Sequence, residues 1–249
     1  MKLVALDLDG TLLDFGGGIA NRTLQEMRRL YGNGVCMAIA TGRPYRTTLE
    51  ILGENGLELS DGFPQMLICD EREAYFLEDG RYRSWTPWNN DAYRFELALL
   101  PISQKIVDEM AQEHSSEFLV NNIFAQQTRG FIEVFYGSKA EAESAFPFFV
   151  EKLQNTPIKP VRNNRLIAFR WREVGKELIL SKVADRFGIP SHRILAVGDS
   201  YNDIGMLTRF NAATTENADE EVKAVVRKKG GFVASSSYSL GVAELLADI

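Results

Sequence analysis

The sequence predicts an α/β fold, in which a Rossmann-like doubly wound parallel sheet is interrupted by an inserted α+β domain. Short apolar runs recur in both terminal parts of the chain, and segments with helical periodicity separate them. This order is typical of parallel strands joined by crossover helices. Between about residues 79 and 172 the pattern changes to alternating, strand-like segments. That change predicts the insert.

The N-terminal part alternates strand and helix. Leu3–Leu6 is a continuous apolar run, as expected of a strand buried on both faces. Residues 21–31 carry an apolar stripe at Leu24, Met27 and Leu30, which predicts a helix. The same alternation then predicts a strand at 35–40, a helix at Tyr45–Glu54 and a strand at Met66–Cys69.

The middle of the chain mixes helices with strands that we expect to be antiparallel. Strand-like segments lie at 118–120, 131–135 and 166–169, and helices are predicted near 103–113 and 138–154. Ser138 and Glu141 form a capping box for the second helix, and Pro147 predicts a kink or a restart within it. Residues 85–90 are the predicted hinge. We therefore predict a core domain of residues 1–80 and 173–249 and an inserted domain of residues 81–172.

The parallel pattern returns after Val174. Residues 194–197 form another buried apolar run, which predicts a strand. The other predicted elements are helices at 175–187, 204–210, 219–226 and 240–246 and strands at 212–214 and 231–234.

Composition indicates an ordinary soluble protein. The 249 residues are 45% hydrophobic and 25% charged, with a net charge of −6 and no run of Lys or Arg, so we expect neither a nucleic-acid nor a membrane partner. No apolar stretch approaches the roughly 20 residues of a membrane span. Two aspartates among the first ten residues argue against a signal peptide. We expect a cytoplasmic protein, either a monomer or a weak homodimer.

The metal-ligating residue types indicate which kind of metal to expect. Cys36 and Cys69 both lie in apolar runs and are predicted to be buried, reduced thiols. With two cysteines and two histidines in the chain, a soft-metal site is not expected. Any metal should be a hard cation bound by oxygen.

Asp7 and Asp9 follow the first predicted strand directly. Side chains alternate along a strand, so the two carboxylates point the same way. Two carboxylates this close repel each other, and both stay ionised only if a cation joins them. The structural alternative is that one caps the turn and the other is solvated, and for an isolated pair both interpretations have similar weight.

Further polar residues stand at the ends of other predicted elements. Because the carboxyl ends of parallel strands lie on one edge of a sheet, these residues can converge. They are Asp7, Asp9, Thr41, Lys176, Asp199, Asn202 and Asp203. Clustered carboxylates require Mg²⁺ or a similar ion, and a metal with a carboxylate nucleophile, an alcohol and a lysine outlines a phosphoryl-transfer site.

Each of these residues also has a structural explanation. Thr41 could cap the helix that follows it, and Lys176 could be a solvated helix residue, with Lys182 competing for its role. Asp199 and Asp203 could be ordinary helix-start residues. Their joint occurrence, in this order and at element ends, favours the functional interpretation.

On these residues the chain resembles the haloacid dehalogenase superfamily of phosphatases. DLDGTLL, beginning at Asp7, resembles the first motif of that family, and ATGR, ending at Arg43, resembles the second. Lys176 matches the third motif, and GDSYND, ending at Asp203, resembles the fourth. The insert lies between the second and third motifs, as does the large α/β cap of the Cof-like and sucrose-phosphatase-like branches.

The resemblance implies a role for each matching residue. Asp7 would be the nucleophile and a Mg²⁺ ligand, and Asp9 the general acid and base, with its backbone carbonyl on the metal. Asp199 would ligate Mg²⁺, with Asp203 completing or supporting the metal shell. Thr41, Gly42, Lys176 and Asn202 would bind the phosphate of the substrate, and Asn202 would orient either Lys176 or that phosphate. The implied reaction is Mg²⁺-dependent hydrolysis of a small phosphomonoester, with a sugar phosphate as one option.

Two departures and several alternatives accompany this interpretation. Asp70-Glu71-Arg72 stands where the Cof-like pattern has Asn-Gly-Ala, and Glu177 follows the motif lysine where that pattern has glycine. A phosphomutase needs the same four motifs, and a non-catalytic phospho-ligand binding protein could keep the fold. Polar residues of the insert could contact substrate, although turn formation is the more ordinary explanation: Asn121, Asn122, Arg129, Asn163, Asn164 and Arg165.

Overall fold

The structure is a computed structural model that describes residues 1–57, 59–113 and 124–249. The strand predicted at 118–120, and residues Asn121 and Asn122, lie outside the described residues. The chain divides into two compact units, one of residues Met1–Asn89 with Gly175–Ile249 and one of residues Asn90–Val174.

The first unit begins with alternating strands and helices, close to the predicted order. These are β1 (Leu3–Leu6), α1 (Asn21–Gly32), β2 (Cys36–Ala40), α2 (Tyr45–Glu54), β3 (Met66–Cys69), β4 (Glu73–Glu78) and β5 (Arg81–Ser84). Helix α3 (Thr86–Glu113) follows and continues into the second unit.

The second unit and the return to the first complete the chain. The second unit adds β6 (Phe124–Thr128), β7 (Phe131–Phe135), α4 (Lys139–Lys152), β8 (Ile158–Asn163) and β9 (Leu166–Trp171). The first unit then resumes with α5 (Lys176–Arg186), β10 (Ile194–Val197), α6 (Ile204–Arg209), β11 (Asn211–Thr214), α7 (Glu220–Lys228), β12 (Phe232–Val233) and α8 (Tyr238–Ala247).

A single sheet organises the described part of the first unit. Its strand order is β12-β11-β10-β1-β2-β3-β4-β5, and every pairing from β12 to β3 is parallel. The residues of each central strand alternate between two apolar layers. Val4 and Leu6 pack in one layer with α1, α2 and α8, whereas Leu3 and Ala5 pack in the other with α5, α6 and α7. This doubly wound arrangement confirms the predicted α/β fold class.

The edge of this sheet differs from the sequence prediction. Strands β4 and β5 pair antiparallel to each other, and β4 pairs antiparallel to β3, so β5 belongs to this sheet although the insert was predicted to begin at residue 81. Asp79 and Gly80 connect the two strands, with φ of 51° and 73°. Two consecutive positive φ values are the requirement of a tight hairpin turn, and Asp-Gly is a favoured sequence for it.

The predicted hinge at 85–90 is not a loop. Trp85 precedes α3, and the remaining five residues form its first turns. The helix predicted at 103–113 is the C-terminal part of this longer helix, which runs through Pro101. Trp85 and Trp88 pack against the apolar layer that holds Leu3 and Ala5. These aromatic side chains therefore stabilise the point at which the chain leaves the first unit.

The second unit has an antiparallel sheet in the order β6-β7-β9-β8. Its core includes Val134, Phe149, Ile167 and Phe169, which come from strands and from α4. The capping box of Ser138 and Glu141 is present at the start of α4, and the helix runs through Pro147 without the predicted restart. Asn163 ends β8, and Asn164 and Arg165 form the turn before β9.

Among the described residues, no helix combines the length and the apolar character that crossing a membrane requires.

Candidate active site

The candidate site lies at the edge of the sheet formed by the carboxyl ends of its parallel strands. Asp7 follows β1 and is buried, and its Oδ1 accepts a hydrogen bond of 2.6 Å from Nζ of Lys176. Lys176 is the first residue of α5 and also donates to Oδ1 of Asp203, at 2.7 Å. Lys182, the other lysine that the sequence left open, lies with Nζ 4.7 Å from the ring centroid of Trp88. The buried lysine of the site is therefore Lys176.

Hydrogen bonds from backbone N–H groups and hydroxyls hold the other carboxylates. Oδ2 of Asp203 accepts from the backbone N–H groups of Asp199 and Ser200, each at 3.1 Å. Asp199 accepts from the hydroxyls of Thr11 at 2.7 Å and Ser200 at 3.1 Å. Asp203 thus caps its own turn and contacts Lys176 at the same time, so the structural and the functional explanation both apply to it.

Gly10 allows the first motif to approach Asp199. Its φ is +77°, and a Cβ at this position would lie 2.5 Å from Oδ2 of Asp199. Any larger residue would be strained and would collide with that carboxylate. The carbonyl of Gly10 also accepts from the amide of Asn217 at 2.8 Å, which ties the turn to the segment after β11.

The negative charges of the site exceed the buried positive charge. Burial and the neighbouring Asp203 raise the pKa of Asp7 well above its usual value, although Lys176 opposes the shift. Burial and Asp203 also raise the pKa of Asp199 to about 6. Burial alone would lower the pKa of Lys176, but the charges of Asp203 and Asp7 outweigh it and the pKa is raised. Lys176 therefore does not neutralise the carboxylates around it.

A hard cation fits this set of residues. Asp7, Asp199 and Asp203 each place a carboxylate oxygen within 4.8 Å of those of the other two. Ionised oxygens clustered at this spacing are the ligands that Mg²⁺ prefers. Lys176 contacts two of these three carboxylates, so the ionised cluster carries more negative than positive charge. Donor chemistry and charge therefore agree on a divalent cation.

Asp9 has a different environment from Asp7. Its side chain is half exposed, and its carboxylate accepts from Nε of Arg43 at 3.0 and 2.8 Å and from Nη2 at 2.6 Å. Asp9 is not part of the carboxylate cluster of Asp7, Asp199 and Asp203. Arg43, the last residue of the second motif, therefore pairs with an aspartate of the first motif.

The other residues expected to bind phosphate are Thr41, Gly42 and Asn202, and each has a different environment. Thr41 is buried, and its Oγ1 accepts from the backbone N–H of Arg43 at 3.0 Å. It does not cap α2, because the N-cap of that helix is Pro44. Asn202 donates to Oε1 of Glu71 at 2.7 Å, rather than contacting Lys176. The same Glu71 atom lies 3.7 Å from where a Cβ of Gly42 would stand.

Sequence reasoning missed two residues of this site. Thr11 lies within the first motif but was given no role, and it binds Asp199. Glu71 was noticed because it departs from the Cof-like pattern, but its contact with Asn202 was not predicted. A signal for Glu71 existed, since a carboxylate just after a central parallel strand lies at the same sheet edge as Asp7.

Comparison with known proteins identifies the family. A family model described as haloacid dehalogenase-like hydrolase matches residues 4–71 and 65–246. The chain belongs to the haloacid dehalogenase-like hydrolase family. The resemblance drawn from the four motifs is thereby confirmed.

Curated relatives of the family cover most of the chain. The 5-amino-6-(5-phospho-D-ribitylamino)uracil phosphatase YitU of Bacillus subtilis is 25% identical over 231 residues, which is 82% of this chain and 82% of that protein. A phosphoglycolate phosphatase of Thermoplasma volcanium is 24% identical over 264 residues, which is 99% of this chain and 97% of that protein. The family and these relatives establish the chain as a phosphatase enzyme.

Solved structures agree on the fold. The sucrose-phosphatase of Synechocystis sp. PCC6803, solved with sucrose and phosphate, has a TM-score of 0.72 at 17% identity and covers 99% of this chain and 97% of that one. SMU.1108c of Streptococcus mutans has a TM-score of 0.73 at 15% identity and covers 100% of this chain and 98% of that one. At these identities the likeness concerns the fold.

Proposed function

We propose that this phosphatase hydrolyses small phosphomonoesters with Mg²⁺ and forms an aspartyl phosphate on Asp7. The observation that carries the proposal is the position of Asp7, which is buried, held by Lys176 and clustered with Asp199 and Asp203. A carboxylate fixed in this way is oriented for attack before the substrate arrives. Preorganisation of this kind contributes a large share of enzymatic rate enhancement.

Mg²⁺ would be held by the carboxylates of Asp7, Asp199 and Asp203 and by the backbone carbonyl of Asp9. When bound, the ion supplies positive charge that offsets these carboxylates and the negative charge of the phosphoryl oxygens. The fit rests on the acidic cluster and on its excess of negative charge.

The first half of the reaction transfers the phosphoryl group to the protein. A carboxylate oxygen of Asp7 attacks phosphorus, and the bond from phosphorus to the ester oxygen breaks. Asp9 donates a proton to that departing oxygen, which leaves as an alcohol. Asp9 is bound to Arg43 in this structure, and the exposure of both side chains leaves the pair free to rearrange when substrate enters.

The second half regenerates the enzyme. Asp9 takes a proton from water as the water oxygen attacks phosphorus, and the bond to Asp7 breaks. Throughout, Lys176 and Thr41 would bind the phosphoryl oxygens, together with the backbone of Gly42 and the amide of Asn202. The buried ammonium of Lys176 is the strongest of these groups, because its charge acts in a region of low dielectric.

The substrate is proposed to be a small phosphate ester, and sugar phosphates belong to this class. The relatives support small substrates, since their names specify a phosphoribitylamino-uracil and phosphoglycolate. We further propose that the insert serves as a cap domain that selects the alcohol part of the ester. A cytoplasmic location, a monomer or weak homodimer, and the lack of nucleic-acid and membrane partners stay predictions.

The test is phosphate release from a broad panel of phosphomonoesters, with Mg²⁺ and with EDTA. Asp7→Asn serves as the matched variant, because it keeps the size of the side chain while it removes the nucleophile. We expect Mg²⁺-dependent release that the variant loses by at least about 10⁴-fold. Release at the parent rate from Asp7→Asn would contradict the role of Asp7.

The same experiment separates the alternatives. A phosphomutase would keep the phosphate on a sugar, so the ester would change its position of phosphorylation while no free phosphate appeared. A non-catalytic binding protein would bind an ester and leave it unchanged. Analysis of the recovered esters by ³¹P NMR distinguishes both outcomes from hydrolysis.

A further inference from the structure

Glu71 joins three segments of the site within the first unit. Its backbone N–H donates to the carbonyl of Thr41 at 3.1 Å, and its carbonyl accepts from the N–H of Gly175 at 2.7 Å. Thr41 ends the β2 segment, and Gly175 precedes Lys176. Glu71 has a φ of 51° and follows Asp70, whose φ is 55°. Two consecutive non-glycine residues with left-handed backbone are uncommon. Backbone conformations of this kind are found most often at functional sites.

The side chain of Glu71 extends this connection to a fourth segment. It is buried, with 6% of its surface exposed, and its Oε1 accepts from Nδ2 of Asn202 at 2.7 Å. An ionised carboxylate can only accept hydrogen bonds. The amide of Asn202 must therefore present its NH₂ group to Glu71, and its carbonyl oxygen must point elsewhere.

That carbonyl oxygen is buried without a partner. Among the described residues, no group donates a hydrogen bond to Oδ1 of Asn202. A buried acceptor is normally satisfied by protein, water or ligand. Glu71 thus contacts Asn202 directly and also contacts Gly175, the residue before Lys176.

We propose that Glu71 is a positioning residue of the phosphate site, which fixes the orientation of the Asn202 amide by their buried hydrogen bond. Glu71 occupies one N–H of that amide. The second N–H remains for a phosphoryl oxygen, and Oδ1 remains for a hydrogen-bond donor on the ligand or on bound water. The proposal rests on the proposed phosphatase function, since it concerns how the same site binds its phosphate.

A double-mutant cycle tests the proposal. The variants are Glu71→Ala, Asn202→Ala and their combination, with kcat and KM measured on the best ester of the panel. Loss of the bond should raise KM by about tenfold in Glu71→Ala while kcat stays within about twofold. The double variant should have the KM of Asn202→Ala alone, because the first substitution acts through the second residue.

Two more variants separate positioning from other effects. Glu71→Gln should give an intermediate KM, because its side-chain amide can either accept from Asn202 or donate to it. Glu71→Gly is compatible with the positive φ and guards against a variant that fails to fold. Glu73→Ala is the matched control. The Glu73 carboxylate lies in the same segment but binds Arg72 and Tyr75, so its removal should leave KM unchanged.

Direct binding of inorganic phosphate supplies a second readout. Isothermal titration with Mg²⁺ present should show about tenfold weaker binding in Glu71→Ala and no further loss in the double variant. Independent effects of the two substitutions, in KM or in phosphate affinity, would overturn the proposal. If no ester is hydrolysed by the wild type, the proposed function fails, and the phosphate titration still decides whether Glu71 acts through Asn202.

Discussion

Each unit of the protein contains a buried ion pair, and the two differ in charge balance. In the second unit, Arg170 donates to both carboxylate oxygens of Glu96, at 2.7 and 3.2 Å, and its guanidinium lies 4.0 Å from the ring centroid of Phe131. This contact joins one guanidinium to one carboxylate in a two-bonded geometry. In the first unit, Lys176 faces Asp7 and Asp203, with Asp199 beside them.

The difference separates a pair in which the two charges balance from a cluster in which the carboxylates outnumber the lysine. In a two-bonded Arg–carboxylate pair the two charges balance, and both hydrogen bonds are charge-assisted. In the Lys176 cluster, burial is the main cause of the raised pKa of Asp7 and Asp199, and the neighbouring carboxylate of Asp203 raises it further. Excess charge of one sign in a buried site is costly to stability, and functional sites are where proteins retain it.

Replacing the positively charged residue of each region, Lys176 or Arg170, should have the largest effect on stability. Lys176→Met and Arg170→Met each leave buried carboxylate without its partner, and each should lower the free energy of unfolding by about 3–5 kcal/mol. Their responses to Mg²⁺ should differ. Mg²⁺ should reduce the difference in stability between Lys176→Met and wild type, because it can replace the missing positive charge. Arg170→Met keeps the cluster and should gain as much from Mg²⁺ as wild type does, so its difference from wild type should not change. Urea unfolding with and without Mg²⁺ measures both.

Equal recovery of the two variants would contradict the comparison. It would mean that Mg²⁺ does not replace the charge of Lys176 within the cluster. KCl at matched ionic strength serves as the control for screening, and Ca²⁺ tests whether another hard cation can replace Mg²⁺.

The pH dependence of stability should be of intermediate size. Asp199 has a folded pKa of about 6, against an ordinary value of 3.8, so the folded protein holds this proton more tightly than the unfolded chain. Its contribution to stability is therefore full below about pH 4 and is lost as pH rises to about 6. In metal-free protein, the free energy of unfolding of Asp199→Asn should rise by about 2 kcal/mol relative to that of wild type as the pH increases from 4 to 6.

The measurement is urea unfolding of both proteins at a series of pH values with EDTA present. Above about pH 7 the difference between them should be constant. A difference that does not change between pH 4 and pH 6 would show that Asp199 is not destabilised in its ionised form.

The exposed ion pair of the same sheet edge should give the smallest effect. Asp9 and Arg43 have side chains that are 50% and 38% exposed, so solvent screens their interaction. Arg43→Ala should change the free energy of unfolding by less than about 1 kcal/mol. Urea unfolding at low and high salt checks this. A loss as large as that of Lys176→Met would mean that this pair belongs to the buried network.

Much of the first unit could be predicted because its physical signals are local. Strands β1, β2, β3 and β10 are buried on both faces, so each is a continuous apolar run that predicts a strand. The meeting of Asp7 and Lys176 also follows from the sequence, because strands and helices of a parallel sheet bring their ends to one edge.

The missed elements had weaker or conflicting signals. Strand β5 is largely exposed and polar, so it lacks the apolar run by which the other strands are recognised. The Asp79-Gly80 turn predicts the hairpin that contains it, but the change of pattern at this point was interpreted as the start of the insert. Helix α3 contains Pro87 and Pro101, and because proline usually indicates a helix boundary or kink, the sequence did not predict one continuous helix.

The contacts within the site depended on side-chain geometry that no pattern encodes. Asn202 could have reached Lys176 or the phosphate, and the structure places it against Glu71. The backbone at Glu71 is left-handed, and the residues there give no sign of it, since glycine is the usual indicator of positive φ.

The central claim, that the buried acidic cluster is a divalent-cation site, is tested most directly by the stability of metal-free protein titrated with Mg²⁺. At a hundredfold excess of Mg²⁺ over its Kd, the free energy of unfolding should rise by about 2.7 kcal/mol. The gain should be lost in Asp199→Asn and retained in Glu96→Gln, which alters the balanced pair instead. A wild-type stability that is indifferent to both Mg²⁺ and EDTA would contradict the claim.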